Sequence, residues 1–251
     1  VRNVMTIKGS NMSTPLSAHE RILIALDVDS ADAAVALARK VAGTVGGLKV
    51  GLELINAAGF DIISRLQDAG VDKIFYDAKF HDIPNTVHGA IAAAVKRNVW
   101  MVNVHAQGGS AMLRAAADAA HAAANPPLLI GVTVLTSLSQ EALNSDLRVA
   151  GTVNDHVLHL AGLCHENGLD GVVCSPHEVE AIRTSLGNDF VTVVPGVRPK
   201  GVAAHDQARI ATPEAAVASG ATFLVIGRAI TGADDPREAA IRIAADIERG
   251  A

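Results

Sequence analysis

The 251-residue chain is 49% hydrophobic but only 3% aromatic, so its core has to be built from Ala, Val, Leu and Ile. A net charge of −5 with no run of Lys or Arg argues against nucleic acid or an anionic membrane surface as a partner. No apolar stretch reaches the roughly 18 residues needed to span a bilayer. Residues 1–20, with Gly9, Ser10, Asn11, Ser13, Thr14 and Pro15, lack the apolar core of a signal peptide. A cytoplasmic location and a flexible amino-terminal tail over residues 1–20 are expected. Cys164 and Cys174 are too few for a disulfide framework and do not form a C-x-x-C pair. Both are expected to be small buried hydrophobes.

From residue 21 onward, short aliphatic runs recur at intervals of about 20–30 residues, as βαβ units require. The expected strands are Ile22–Asp27, Gly47–Gly51, Lys73–Asp77, Trp100–Val104, Leu128–Val134, Gly171–Cys174, Val191–Val194 and Thr222–Ile226. Alanine-rich helical patterns alternate with them over Ala31–Val41, Asn85–Lys96, Ser110–Ala123, Val153–Asn167, Pro176–Ser185, Pro213–Ser219 and Pro236–Glu248. Ser30 is a natural N-cap for the first, and Pro84 a natural start for the second. Near-continuous apolar strands imply burial on both faces, as in a parallel sheet. The fold class expected is α/β: one (β/α)8 TIM barrel over residues 21–251, with an active site at the carboxyl ends of the strands. Thr136–Gly151 and Pro195–Thr212 break the rhythm at those ends. Long irregular segments there suggest closing lids.

The stretch Tyr76-Asp77-Ala78-Lys79-Phe80-His81-Asp82-Ile83-Pro84-Asn85-Thr86 carries the densest chemistry. If Asp77 and Lys79 close a strand, both side chains point to one face, because strand side chains alternate. Asp82 follows in the connection to the next helix. A lysine held between two carboxylates should stay protonated, and could stabilise a developing carbanion and then protonate it. Asp27 and Lys49 end the two preceding strands, so Lys49, Asp77, Lys79 and Asp82 can form a linked array of alternating sign. An ion-pair network in the barrel lumen is the plain structural alternative.

At the far end of the chain, Pro195-Gly196-Val197-Arg198-Pro199 follows strand seven and Ile226-Gly227-Arg228-Ala229 follows strand eight. Barrels often bind phosphate with these two loops. Glycine lets backbone N–H groups approach an anion, and arginine adds charge-assisted hydrogen bonds. Asp155, His156, His159 and His165 have no recognised metal-ligand spacing, and a helix would spread them around its circumference. His105 is expected to support the site by hydrogen bonding, and Tyr76 and Trp100 to pack. The sequence has no G-x-G-x-x-G, Walker-type P-loop or H-E-x-x-H motif.

Together these residues resemble the orotidine 5′-phosphate decarboxylase family in its bacterial form. The central match is Asp77-x-Lys79-Phe80-His81-Asp82-Ile83-Pro84-Asn85-Thr86. Leu26-Asp27, Leu48-Lys49-Val50-Gly51, Val132–Ser137, Pro195–Pro199, Asp206-Gln207-x-Arg209 and Ile226-Gly227-Arg228 support it. Two positions depart from the family pattern: Ala78, where many relatives have a larger residue, and Ala229, where they often have proline.

The resemblance implies decarboxylation of orotidine 5′-monophosphate (OMP) to UMP and CO2 in pyrimidine biosynthesis, with no cofactor and no metal. By the same likeness, Lys79 donates the proton to C6, Asp77 sits against the substrate carboxylate, and Lys49 links the carboxylates to the ribose. Asp27 binds ribose hydroxyls, Thr136 lies near the base, and Arg198, Gln207, Gly227 and Arg228 hold the phosphate. Asp82 and Thr86 reach into a neighbouring subunit's site, which implies a homodimer. Sister barrels with the same D-x-K-x-x-D core are sugar-phosphate decarboxylases or aldolase-type synthases. His81–Thr86 and Asp206-Gln207 argue against that lineage. The charged array argues against a non-catalytic UMP-binding module.

Overall fold

The computed structural model describes residues 16–199 and 211–250. Eight strands, β1 (Ile22–Ala25), β2 (Gly47–Val50), β3 (Ile74–Phe80), β4 (Met101–His105), β5 (Leu128–Val132), β6 (Gly171–Val173), β7 (Val191–Val194) and β8 (Phe223–Ile226), pair in chain order. All the pairings are parallel, and β8 returns to β1, closing a (β/α)8 TIM barrel. Every strand therefore points its carboxyl end to the same mouth.

The helices are α1 (Ala31–Val41), α2 (Leu52–Ala58), α3 (Ile62–Asp68), α4 (Pro84–Val95), α5 (Gly109–His121), α6 (Gln140–Ser145), α7 (Val153–Glu166), α8 (Val179–Leu186), α9 (Pro213–Ala218), α10 (Arg228–Thr231) and α11 (Pro236–Gly250). Ser30 caps α1 by accepting from the Ala33 N–H, as expected. Thr152 and Asp155 close a capping box on α7. Four short helices were not expected. α2 and α3 are seven residues each, separated at Gly59, whose left-handed φ of 72° ends the first. Neither is long enough to show a helical period. α6 lies inside the first irregular connection, and α10 is a single turn after β8.

Strand side chains divide between two clusters. Outward residues such as Ile24, Leu48, Tyr76, Ala78, Val102 and Leu224 pack with the helices. Inward residues Leu23, Phe75, Met101, Ile130, Val191, Val193 and Phe223 fill the lower lumen as a solid floor. Trp100 meets Phe223 edge-on at 5.1 Å, and Leu16 packs against the same floor. Residues 16–20 of the expected tail are thus folded, with Ala18 buried and His19–Arg21 forming a 3-10 turn. Residues 1–15 lie outside the described residues. Both cysteines are buried, and burial pushes the Cys164 thiol up to about 12, so neither is a ready nucleophile.

Among the described residues, no helix is long and apolar enough to cross a membrane. The Thr136–Gly151 connection is laced by side chains. Gln140 donates to Asn144 and the Gly151 carbonyl and accepts from the Val153 N–H, while Asn144 donates to Val149 and Gly151. In the second long connection, Val197 bridges Ala211, which joins the two segments flanking residues 200–210.

Candidate active site

Above the floor, alternation turns Lys49 of β2, Asp77 of β3 and Asn103 of β4 into the lumen. All three are buried. Asp77 is the hub. Its Oδ1 accepts from Lys79 Nζ at 2.6 Å and from Asn103 Nδ2 at 2.7 Å, and its Oδ2 lies 3.4 Å from Lys49 Nζ. Lys49 Nζ also donates to Asp27 Oδ1 at 3.2 Å. The Asp27 side chain is 56% exposed, against 10% for Asp77, so the chain of charges opens to solvent at Asp27 and is desolvated at its centre.

Burial works to raise the Asp77 carboxyl. The Lys49 and Lys79 charges, then the hydrogen bonds from Lys79 and Asn103, outweigh it and hold the carboxyl below the usual carboxylate range. His105, at the end of β4, is pushed below the ordinary imidazole value by burial and then by the neighbouring His81 and Lys79. Its ring lies 5.4 Å from that of His81.

β3 is longer than expected and irregular. Against β4, its register advances from Tyr76 to Phe80 while β4 advances only from Val102 to Val104. This is a bulge, the kind of irregularity that re-aims a side chain beside a site. Lys79 sits within it at φ 50°, a left-handed conformation that is costly for a residue with a Cβ. Its backbone N–H donates to Asn103 Oδ1 at 2.7 Å instead of to a ladder carbonyl.

The array forms one wall of a cavity of about 290 Å³. Val132, Val134, Val173, Val193 and Val225 also line it, as do Thr136, Arg198, Gly227 and Arg228. The structure therefore brings Asp27, Lys49, Asp77, Lys79, Thr136, Arg198, Gly227 and Arg228 to one cavity. Gln207 lies outside the described residues. Asp82 and Thr86 do not line this cavity. Both are exposed on the rim, where the Asp82 carboxylate accepts from the Ile83 N–H.

Two residues at the site were not singled out from sequence. Asn103 could have been found as the one amide among the apolar residues that precede His105 in β4, since a buried amide needs partners. Gly51 lies two residues beyond Lys49, and a Cβ there would fall 2.8 Å from Lys49 Nζ, so a larger residue would make the ammonium shift. Ala78 packs outward, away from the lumen. Asp155 is taken up in its capping box, His156 stacks on His159, and His165 meets Phe190 edge-on. Among the described residues, no three His, Cys, Asp or Glu side chains are grouped to hold a metal ion.

A sequence profile described as the orotidine 5′-phosphate decarboxylase / HUMPS family matches residues 20–243. The chain belongs to this family. It is 51% identical to orotidine 5′-phosphate decarboxylase of Halorhodospira halophila over 227 residues, covering 90% of this chain and 95% of the relative. It is 49% identical over 227 residues to the enzyme of the same name from Nitrosococcus oceani, covering 90% and 97%. The crystal structure of orotidine 5′-phosphate decarboxylase from Lactobacillus acidophilus superposes with a TM-score of 0.80 at 37% identity, covering 90% of this chain and 98% of that one. The family resemblance and the barrel expected from sequence are both borne out.

In this family member, Asp77 separates two ammonium groups, and its removal leaves them facing each other. Asp77→Asn is expected to lower unfolding free energy at pH 7 by about 2–3 kcal/mol, under the ~3–5 of a fully buried pair because Lys79 is partly exposed. Because the folded Asp77 value is depressed, its contribution is present above the ordinary carboxylate value and is lost as pH falls through the depressed one. Urea unfolding of both proteins across acidic pH checks this. Their difference should shrink as the pH falls, and equal stability at pH 7 would show that the charges do not outweigh desolvation.

Proposed function

We propose that this chain decarboxylates OMP to UMP and CO2. The observation that carries the reading is that the Asp27–Lys49–Asp77–Lys79 array lines one cavity together with Arg198, Gly227 and Arg228. Relatives 43–51% identical over nearly all of their length bear the decarboxylase name, which favours this activity over the HUMPS side of the family description.

In this reading the nucleotide spans the cavity. Its phosphate meets Arg198, Arg228 and the Gly227 backbone, with Gln207 as a further ligand. Asp27 takes the ribose hydroxyls, and Thr136 faces the base. The C6 carboxylate then lies against Asp77 and Lys79. The C6–carboxylate bond breaks, CO2 leaves, and the electron pair stays on C6. Lys79 Nζ supplies the proton that completes UMP and is reprotonated from solvent. The array needs no electron sink, since preorganised charge stabilises the carbanion where it forms. Phosphate binding far from C6 contributes to the chemical step by fixing the substrate there.

The active form is proposed to be a homodimer in which Asp82 and Thr86 complete the neighbour's site. Leu52, Phe60 and Ile83 support this. They are large apolar side chains 55%, 40% and 67% exposed, all in segments that follow the carboxyl ends of β2 and β3.

Lys79→Ala should abolish turnover, followed as loss of OMP absorbance, while UMP affinity stays within a few-fold of the unaltered protein. Turnover that survives the substitution would remove Lys79 as the proton donor. Mixing inactive Lys79→Ala and Asp82→Ala proteins should recover activity at sites built from one intact copy of each residue. No recovery, with subunit exchange demonstrated, would rule out a shared site.

A further inference from the structure

Asn103 is fully buried beneath the cavity, absent from its lining, and bonded at both ends of its amide. Nδ2 donates to Asp77 Oδ1 at 2.7 Å, and Oδ1 accepts from the Lys79 backbone N–H at 2.7 Å. One planar group thereby fixes two things. It orients the carboxylate that meets both lysines, and it satisfies the N–H that the β3 bulge removes from the ladder. The left-handed backbone at Lys79 has no glycine to ease it, so it persists only where the surroundings over-determine it. A serine or alanine could not reach both partners, and an apolar side chain would leave a carboxylate oxygen and a buried N–H without this partner.

We propose that Asn103 is a positioning residue for the decarboxylation, a clamp that aims the Lys79 ammonium and Asp77 carboxylate together without touching substrate. The proposal rests on the decarboxylase reading and extends it to a residue outside the cavity. Misplacement of a reacting group by about 1 Å can cost about 100-fold in rate, and the Lys79 side chain starts from the backbone that Asn103 holds. Binding of UMP, which has no C6 carboxylate, should depend little on the clamp.

The test uses the full-length protein and two substitutions. Asn103→Ala should lower kcat for OMP by about 100-fold while UMP affinity, read by calorimetry, changes less than about threefold. Asn103→Asp keeps the shape. Protonated, its carboxyl donates to Asp77 and accepts from the Lys79 N–H; ionised, it loses the donor and adds a charge beside Asp77. Its kcat relative to the unaltered protein should therefore rise as pH falls. The groups facing this position are Asp77 and Lys79 on β3, Lys49 on β2, and His105 with His81 at the mouth. The same titration of Asn103→Ala, which retains all of them, should show no such rise. Independently of activity, carbon-13 NMR should show the Asp77 carboxyl titrating at higher pH in Asn103→Ala than in the unaltered protein.

An unchanged kcat, an unshifted Asp77 titration, or a kcat loss matched by equal loss of UMP affinity and of folded protein would overturn the clamp. Absence of turnover by the unaltered protein would overturn the decarboxylase reading instead, and the Asp77 titration would still decide whether Asn103 holds that carboxylate.

Discussion

A single desolvated carboxylate organises the mouth of this barrel. Asp77 has burial against its charge, and it stays ionised because Lys49, Lys79 and Asn103 meet it at 2.6–3.4 Å from three successive strands. The demand runs outward from there. Gly51 leaves the Lys49 ammonium its present place, which a Cβ would crowd at 2.8 Å. Lys79 requires a bulge in β3, and the bulge requires a side-chain acceptor on β4 for the N–H it strands. Parallel pairing in chain order is what puts β2, β3 and β4 side by side, so the constraint reaches the topology itself.

The lumen is divided by polarity. Charges come from β1 to β3, whereas β5 to β8 contribute a wall of valines beneath two arginine-bearing loops. Phe75 and the other floor residues exclude water from below. Electrostatic interactions are stronger in such surroundings than in water, which suits the proposed carbanion chemistry. The arrangement also separates binding from chemistry. Arg198 and Arg228 line the same cavity as the buried Asp77 and its Lys79 partner, so the proposed substrate would be held by its phosphate at one end and meet the charge array at the other.

Much of this was legible in the sequence, for identifiable reasons. Strands buried on both faces announce themselves as Val, Ile and Leu runs, and all eight were found to within a few residues. Asp27, Lys49, Asp77 and Lys79 stood out because charge in a barrel strand is costly. The β3 bulge did not, since Tyr76–Phe80 reads as an ordinary strand end and nothing local forces Lys79 into a left-handed conformation. Asn103 is a buried amide that its apolar neighbours could have flagged, but its partners on β3 appear only once β3 and β4 are paired. α2 and α3 were missed because two seven-residue helices around Gly59 never establish a period. Asp82 and Thr86 show the opposite case: the motif marks them plainly, while a single chain leaves them on an exposed rim.

The most direct measurement follows OMP by proton NMR in deuterium oxide containing EDTA, with the purified protein. Charge-stabilised carbanion chemistry with Lys79 as donor predicts UMP carrying deuterium at C6, formed without added metal. OMP left unchanged, or converted only after magnesium is supplied, would contradict it.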